Sequence, residues 1–370
     1  MAKKIYPADR LEGVTLEDGW YVESIKPTEK GSGKYSTCYI VSKNGKKGFL
    51  KAFDYRDLSK SGRKVTFNKL NGRFEREKKL IKKCKDYNIY NVVEYITSGQ
   101  YYFEESDINE LVDYFILEHS DDGDISECIN NDDLIHLVLK FESLADVFDG
   151  LFNLHIKGIM HLDIKPTNLL YFINERLTKI TDFGSARQWV GSEIDEDSKD
   201  DIDLIYTTRT FAPPEFLYDE PWSDWNLYRR KVDLYLVGNL IVNFFTDLSF
   251  TALLSEEITM DDHWREKKNR GRLKLILPHL VSASTEVLLT IKEKIKEVNE
   301  SCSNPLDKRD IEQLVEMIKY LCHPDPIERG DPKELKRKNN RDGLDRFRDR
   351  FINLAKKAEY KHNTLYKITK

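Results

Sequence analysis

The run HLDIKPTNLL, residues 161 to 170, sets a histidine, an aspartate, a lysine and an asparagine within eight positions, with apolar residues on both sides and Pro166 stiffening the middle. Polar groups this dense among apolar ones must find hydrogen-bond partners or face a cleft. Asp163 and Asn168 stand five apart, a spacing that suits a carboxylate approaching a hydroxyl while an amide oxygen reaches a metal. Downstream, TDFGSAR places Asp182 after the strand-like run LTKIT and near a glycine that lets the chain turn sharply. Two oxygen ligands on neighbouring loops suit Mg2+, which combines a few protein oxygens with phosphate oxygens and water. The pair therefore implies a nucleotide.

Upstream, EKGSGKYSTCYIV carries Gly31 and Gly33 where a strand would turn over. Residues without Cβ let backbone N–H groups come close to phosphates, although a plain hairpin turn uses the same pattern. Lys51, in GFLKAF, is the only cation within its apolar strand run. A lysine placed there needs an anionic partner, and Glu77 is the candidate.

These residues need elements to hold them. Residues 20 to 53 alternate and are rich in Tyr, Val, Ile and Phe around glycines, which predicts three short antiparallel strands. In VTFNKLNGRFEREKKLIKKC, Phe67, Leu70, Phe74, Ile81 and Cys84 recur at helical spacing and predict an amphipathic helix. Strand-like runs return at NVVEYITSG, QYYFEE and LVDYFILE. From about residue 132 the pattern turns helical: DLIHLVLKFESLADVFDGLFNLHIKG ends in glycine at a C-cap position, and IEQLVEMIKYL puts Ile311, Leu314, Val315 and Ile318 on one face. DDHWREKKNRGRLKLILPHL and STEVLLTIKEKIKEVNE predict further helices, either packing elements or a docking surface.

The bulk numbers agree with an ordinary globular chain. At 370 residues, 40% hydrophobic and 33% charged, it is too long for one small core and too apolar to be disordered. Cys38, Cys84, Cys128, Cys302 and Cys322 lie scattered, without metal-ligand or redox spacing, as reduced thiols of a cytoplasmic protein would. MAKKIYPADR leads into no apolar signal region, and LYLVGNLIVNFF is too short to span a bilayer, so no membrane span is expected and that stretch predicts a buried core helix.

Charge is uneven. The formal net charge is -5, yet residues 331 to 370 hold 13 Lys and Arg against 6 Asp and Glu, a net of +7, which leaves -12 on residues 1 to 330. In the tail, GLDRFRDRFINLAKKA spaces Leu344, Phe347, Phe351 and Leu354 as one apolar helix face. That face either packs on the helical part of the chain or meets an anionic surface. Nothing in the tail resembles a nucleic-acid-binding module, and a nucleic-acid partner is not expected.

Taken in order, the motifs resemble those of the eukaryotic-type protein kinases, most closely the serine/threonine group. HLDIKPTN resembles the catalytic loop, DFG stands at 182 to 184, FAPPE at 211 to 215 resembles the end of the activation segment, VDLYLVG carries Asp233, and HPDPIERG supplies Arg329 as partner for Glu215. The resemblance runs from about residue 20 to 330. It implies an α+β bilobal kinase fold: a small antiparallel sheet with one helix over residues 1–118, a larger mainly helical lobe over 119–330, and a basic helical tail over 331–370.

The resemblance also implies roles. Asp163 would orient and deprotonate the substrate hydroxyl, Lys165 would stabilise the transferring phosphoryl, and Thr208 would bridge the two. Asn168 and Asp182 would hold Mg2+. Gly31, Gly33 and Ser36 would form the phosphate loop, and Lys51, held by Glu77, would contact the α- and β-phosphates of ATP. Cys38 would cover the adenine and Leu170 would lie beneath it. Leu117 would be the gatekeeper, with backbone groups of Glu118 and Ser120 facing the base. A complete activation segment implies a protein substrate rather than a small molecule.

Four positions depart from the family pattern. Ser36 replaces the third loop glycine and Cys38 a valine. Phe49 stands where alanine usually meets the adenine, so its ring would crowd or reshape the pocket. Leu162 replaces the arginine that binds an activation-loop phosphate, which argues against that switch. The acidic run SEIDEDSKDDID, 192 to 203, would order the loop with fixed carboxylates, attract basic substrates or remain a solvated loop. A non-catalytic scaffold or nucleotide sensor on the same fold, a pseudokinase, is the alternative.

Overall fold

The computed structural model describes residues 7–26, 36–53, 67–103, 110–129, 134–190, 193–194, 209–217, 225–259, 273–300, 306–337 and 342–368. Two compact units divide the chain, Met1–Asp121 and Asp122–Lys370.

The first unit is a five-stranded antiparallel sheet with one helix. Strands β1 (Tyr21–Lys26), β2 (Ser36–Lys43), β3 (Lys46–Phe53), β4 (Tyr95–Phe103) and β5 (Glu110–Glu118) lie in the order β1-β2-β3-β5-β4. Helix α1 (Phe67–Asp86) buries Phe74, Leu80, Ile81 and Cys84. Phe74 meets Phe53 of β3 at 5.2 Å and Phe115 of β5 at 5.0 Å, which fixes the helix on one face of the sheet. Strand period two then sorts β3. Leu50 and Ala52 enter the core on the opposite face, and Phe49 and Lys51 share the helix-side face with Phe53.

That opposite face is covered by residues 7–20. Ala8, Leu11, Leu16 and Trp20 pack on Tyr39, Val41, Leu50, Val112, Tyr114 and Ile116. The Tyr39 hydroxyl donates to Ala8 O at 2.6 Å and Thr37 donates to Asp9 Oδ1 at 3.1 Å, so the segment is tied to the start of β2. Tyr39→Phe leaves the buried Ala8 carbonyl without that donor. It is expected to lower stability by about 1–3 kcal/mol, read as a lower urea midpoint, and an unchanged midpoint would mean the tie is dispensable.

Two of the predicted runs, YITSG and QYYF, form the single strand β4. Gly99 sits inside it because Tyr114 of β5 lies across it: a Cβ there would come within 2.5 Å of the Tyr114 hydroxyl.

The second unit is mostly helical. Helices α2 (Ile125–Ile129) and α3 (Leu134–Ile156) come first, followed by a small three-stranded sheet and a two-stranded one. These use β6 (Ile159–Met160), β7 (Leu169–Phe172), β8 (Leu177–Ile180), β9 (Arg187–Val190) and β10 (Glu193–Ile194). Then follow α4 (Pro214–Leu217), α5 (Trp225–Thr246), α6 (Phe250–Thr259), α7 (Leu273–Glu300), α8 (Lys308–Leu321), α9 (Pro332–Leu335) and α10 (Leu344–Ile368). Two residues past the end of α3 stands Gly158, φ +68°, where a Cβ would strike Trp189 O at 2.5 Å. Helix α5 is the core helix expected at LYLVGNLIVNFF, with Leu234 to Val242 buried throughout.

Helix α7 joins what the sequence divides into two helices. The small residues 282 to 284 interrupt the apolar pattern without breaking the backbone, and Ser284 donates to Val281 O within the helix. By length and composition α7 could cross a membrane, but Ile276, Leu280, Val287, Ile291 and Ile295 form a buried stripe, and the helix packs against α5, α6 and α8. On α8, Met317 is buried and Val315 only half-buried.

Of the two arrangements open for the tail, α10 adopts packing. Leu344, Phe347, Phe351 and Leu354 are buried, and the Phe347 and Phe351 rings both stack on Phe148 of α3 at 5.5 Å. Its basic face meets acidic partners: Arg348 bonds Asp149 and Lys357 bonds Asp310.

Candidate active site

The loop between β6 and β7 carries Asp163, and α5 positions it. Asp233, fully buried, accepts the His161 amide at 2.9 Å and the Leu162 amide at 2.7 Å, and it meets His155 Nε2 at 2.9 Å. These bonds hold Leu162 in the left-handed region, φ +65°, which a non-glycine residue adopts at a cost. The strained turn sends the Leu162 side chain into the core and brings Asp163 next in the chain.

His161 links this loop to the next. Its Nδ1 accepts the Asp163 amide at 3.3 Å, which leaves the hydrogen on Nε2 to donate to Thr181 O at 3.0 Å. Phe183 packs edge-on against the ring at 4.9 Å. A second tie runs from the Thr181 amide to Asn168 O at 2.9 Å. Asp163, Asn168 and Asp182 are therefore placed by one hydrogen-bonded frame. Asp182 itself takes a left-handed conformation, φ 63°, and accepts from the Gly184 amide.

Within the frame, Asp163 Oδ2 accepts from Lys165 Nζ at 2.9 Å and Asn168 Nδ2 at 3.0 Å. Asp163 Oδ1 is buried and has no hydrogen-bond partner among the described residues. Burial pushes the Asp163 carboxyl above its ordinary range, Lys165 pulls it down, and the neighbouring Asp182 charge pushes it up again. The Asn168 amide nitrogen also donates to Asp163 O at 2.8 Å, which turns its oxygen the other way. Two neighbouring carboxylates with one lysine on Asp163 leave net negative charge, and carboxylate and amide oxygens are the donors a hard divalent cation takes.

In the first unit, Lys51 Nζ meets Glu77 Oε1 at 2.6 Å, with both side chains largely buried. Cys38 stands opposite Lys51 on β2, and Leu117 stands opposite Phe49 on β5. Cys38, Ser36, Leu117 and Ser120 are buried. The Phe49 ring has Lys26 over it at 5.7 Å. The Glu118 amide donates to Glu94 O at 2.9 Å, so the backbone group Glu118 could offer a base is not that amide. In the second unit, Leu170 is half-buried on β7. Gly31, Gly33 and Thr208 lie outside the described residues, as does nearly all of the acidic run 192 to 203.

The second unit also joins Glu215 of α4 to Arg329. The pair is fully buried and bidentate, at 2.5 and 2.6 Å.

A family model described as a protein kinase domain matches residues 26–339. The chain belongs to this family. Among curated proteins, the kinase domain is similar to SNF1-activating kinase 1 of Saccharomyces cerevisiae, 28% identical in an alignment that covers 52% of this chain and 18% of the relative. It is similar to probable serine/threonine-protein kinase gdt8 of Dictyostelium discoideum, 28% identical over 50% of this chain and 13% of the relative. A third relative, serine/threonine-protein kinase ksp1 of Schizosaccharomyces pombe, is 32% identical over 38% of this chain and 29% of its own length. The matched segments thus span less than a third of each of these relatives.

Sequence reasoning singled out the motif residues and named Arg329 as the partner of Glu215, the pair the structure forms. It missed His155 as a partner of Asp233 and the tie between Thr181 and Asn168, which is a backbone bond and leaves no mark on residue type. It also missed Lys231 and Asp342, fully buried and 2.7 Å apart.

Proposed function

We propose that the chain transfers the γ-phosphate of Mg-ATP to a serine or threonine hydroxyl of a protein. The observation that carries this is the buried Asp163 Oδ1, held by the loop frame with no partner among the described residues, beside a lysine and an amide already fixed to its other oxygen. A carboxylate oxygen placed this way can accept a hydrogen bond from a substrate hydroxyl and orient it in line with a phosphoryl group. Lys165 would stabilise the charge that develops on the transferring phosphoryl, and Lys51, braced by Glu77, would neutralise the other phosphates. Asn168 and Asp182 would hold Mg2+, which when bound supplies charge neutralisation on the phosphates.

Leu162 supports an enzyme that needs no phosphate to set the loop. Its side chain is buried in the core and its amide is held by Asp233, so the turn is fixed from within. Phe49, on the face of β3 that carries Lys51, and the absence of an arginine at Leu162 favour the scaffold alternative.

Intact-mass spectrometry after incubation with Mg-ATP and a basic protein tests the proposal. Phosphate should appear on substrate or enzyme, and Lys51→Met should cut its rate by about 10²–10³-fold, the typical loss on removing a preorganised charge partner. No phosphate on any protein, with ATP binding intact by calorimetry, would leave the scaffold.

A further inference from the structure

We infer that Asp342 is a positioning residue for the end of the activation segment at Glu215, the platform on which a protein substrate would dock, acting through Lys231 and Arg329. The platform is part of the proposed kinase activity, and the inference rests on that reading.

All four side chains are fully buried. Lys231, on α5, donates from Nζ to Arg329 O at 2.5 Å and meets Asp342 Oδ1 at 2.7 Å. In return, Arg329 Nη1 donates to Lys231 O at 3.2 Å, so the two residues clasp each other side chain to backbone. Arg329 then holds Glu215 with its paired guanidinium N–H groups, at the head of α4. Along the line stand a carboxylate, an ammonium, a guanidinium and a carboxylate, so each of the two neighbouring cations has its own carboxylate on the outer side.

The Asp342 carboxylate is itself placed by a fitted turn. Asp342 has φ +60° and Gly343 φ +77°, the Asp342 carbonyl accepts the Asp331 amide at 2.9 Å, and a Cβ on Gly343 would collide with the Asp331 side chain. Arg230 Nη1 stands 3.5 Å from Asp342 Oδ2. Burial lowers the basicity of Lys231 and Asp342 opposes that, so the carboxylate is what keeps an ammonium in the core. Asp342 and α10 lie beyond residue 339, where the family match ends. The tail is thus joined to the end of the activation segment through a line of buried charges.

Two variants of the full chain test this. Asp342→Asn removes the charge at constant shape. Lys231→Met with Asp342→Leu replaces the pair by apolar groups, a change that often leaves stability intact, but it also removes the bond from Lys231 to Arg329. Hydrogen exchange at Glu215 and Phe216 is compared with exchange in the hairpin of β7 and β8. Both variants should speed exchange at Glu215 and Phe216 by about tenfold, the effect of roughly 1.4 kcal/mol, with the hairpin changing less than about twofold. The double variant should melt within about 3 °C of wild type. With a protein substrate, both should raise its KM by about tenfold and leave the KM for ATP within about twofold.

The inference is overturned if Asp342→Asn leaves exchange at Glu215 and Phe216 unchanged, or speeds it equally throughout the unit. It is also overturned if the double variant restores melting temperature and exchange together, since that is what a purely structural pair would do. If the wild type phosphorylates no protein, the kinase reading fails, while the exchange measurement still decides the coupling.

Discussion

Asp163→Asn is expected to slow phosphoryl transfer by about 10²–10⁴-fold, the usual worth of a positioned general base, while ATP affinity stays within about threefold. Asparagine has the size of aspartate, and its one oxygen can still accept from Lys165 and Asn168, as Asp163 Oδ2 does. What disappears is the second, unpartnered oxygen and the charge. The pH dependence adds a separate check. Burial raises the Asp163 carboxyl above its ordinary 3.8, so in the wild type kcat/KM should fall as pH drops through a value above 3.8, and this limb should be missing from the residual activity of the variant. The same shift has a consequence for stability. A carboxyl raised in the folded state binds its proton there first, so stability falls as pH rises from 3.8 through the raised value. At neutral pH the ionised Asp163 is therefore a net cost to the fold, and loss of activity in the variant should come without a large fall in melting temperature. A pH–rate profile and a thermal melt check both points; a rate loss of less than about tenfold would remove Asp163 from the chemistry.

The motif residues stood out in the sequence because the proposed phosphoryl transfer constrains residue type and spacing together. Asp163, Lys165 and Asn168 fall within one short loop, and Lys51 stands out as a cation inside an apolar strand, which led directly to Glu77. Strands and helices with a clean period were equally open, as in β2, β3, α3 and α10. What the sequence hid depends on contacts between distant segments. Leu11, Leu16 and Trp20 follow neither helical nor strand period, so nothing local announced that residues 7–20 cover a sheet. Gly99 and residues 282 to 284 look like breaks, and only the ring of Tyr114 and the helical hydrogen bonding of Ser284 show otherwise. Lys231 and Asp342 look like surface charges until α5 and the turn before α10 bring them together in the core.

Arg329→Ala is expected to be the most damaging single change to the second unit, at about 3–5 kcal/mol. All five guanidinium N–H groups are used: Nε on His323 O, one side of the fork on Glu215 Oε1 and Lys231 O, the other on Glu215 Oε2 and Pro324 O. The guanidinium also lies 4.8 Å from the centre of the Tyr235 ring. Truncation leaves the Glu215 carboxylate buried without its partner, together with three carbonyls that lose a donor, and an uncompensated buried charge dominates such losses. At about 2–4 °C per kcal/mol for a unit of this size, melting should fall by roughly 6–20 °C. Arg329→Lys should recover little, because one ammonium cannot span both oxygens of Glu215 and reach the three carbonyls as well. Glu215→Gln is the informative companion. It keeps an acceptor for one side of the fork and removes the charge, so it should melt between wild type and Arg329→Ala. If Arg329→Lys instead melted as wild type does, the paired geometry would be irrelevant, and α4 would have to be held by packing of Pro214 and its neighbours alone.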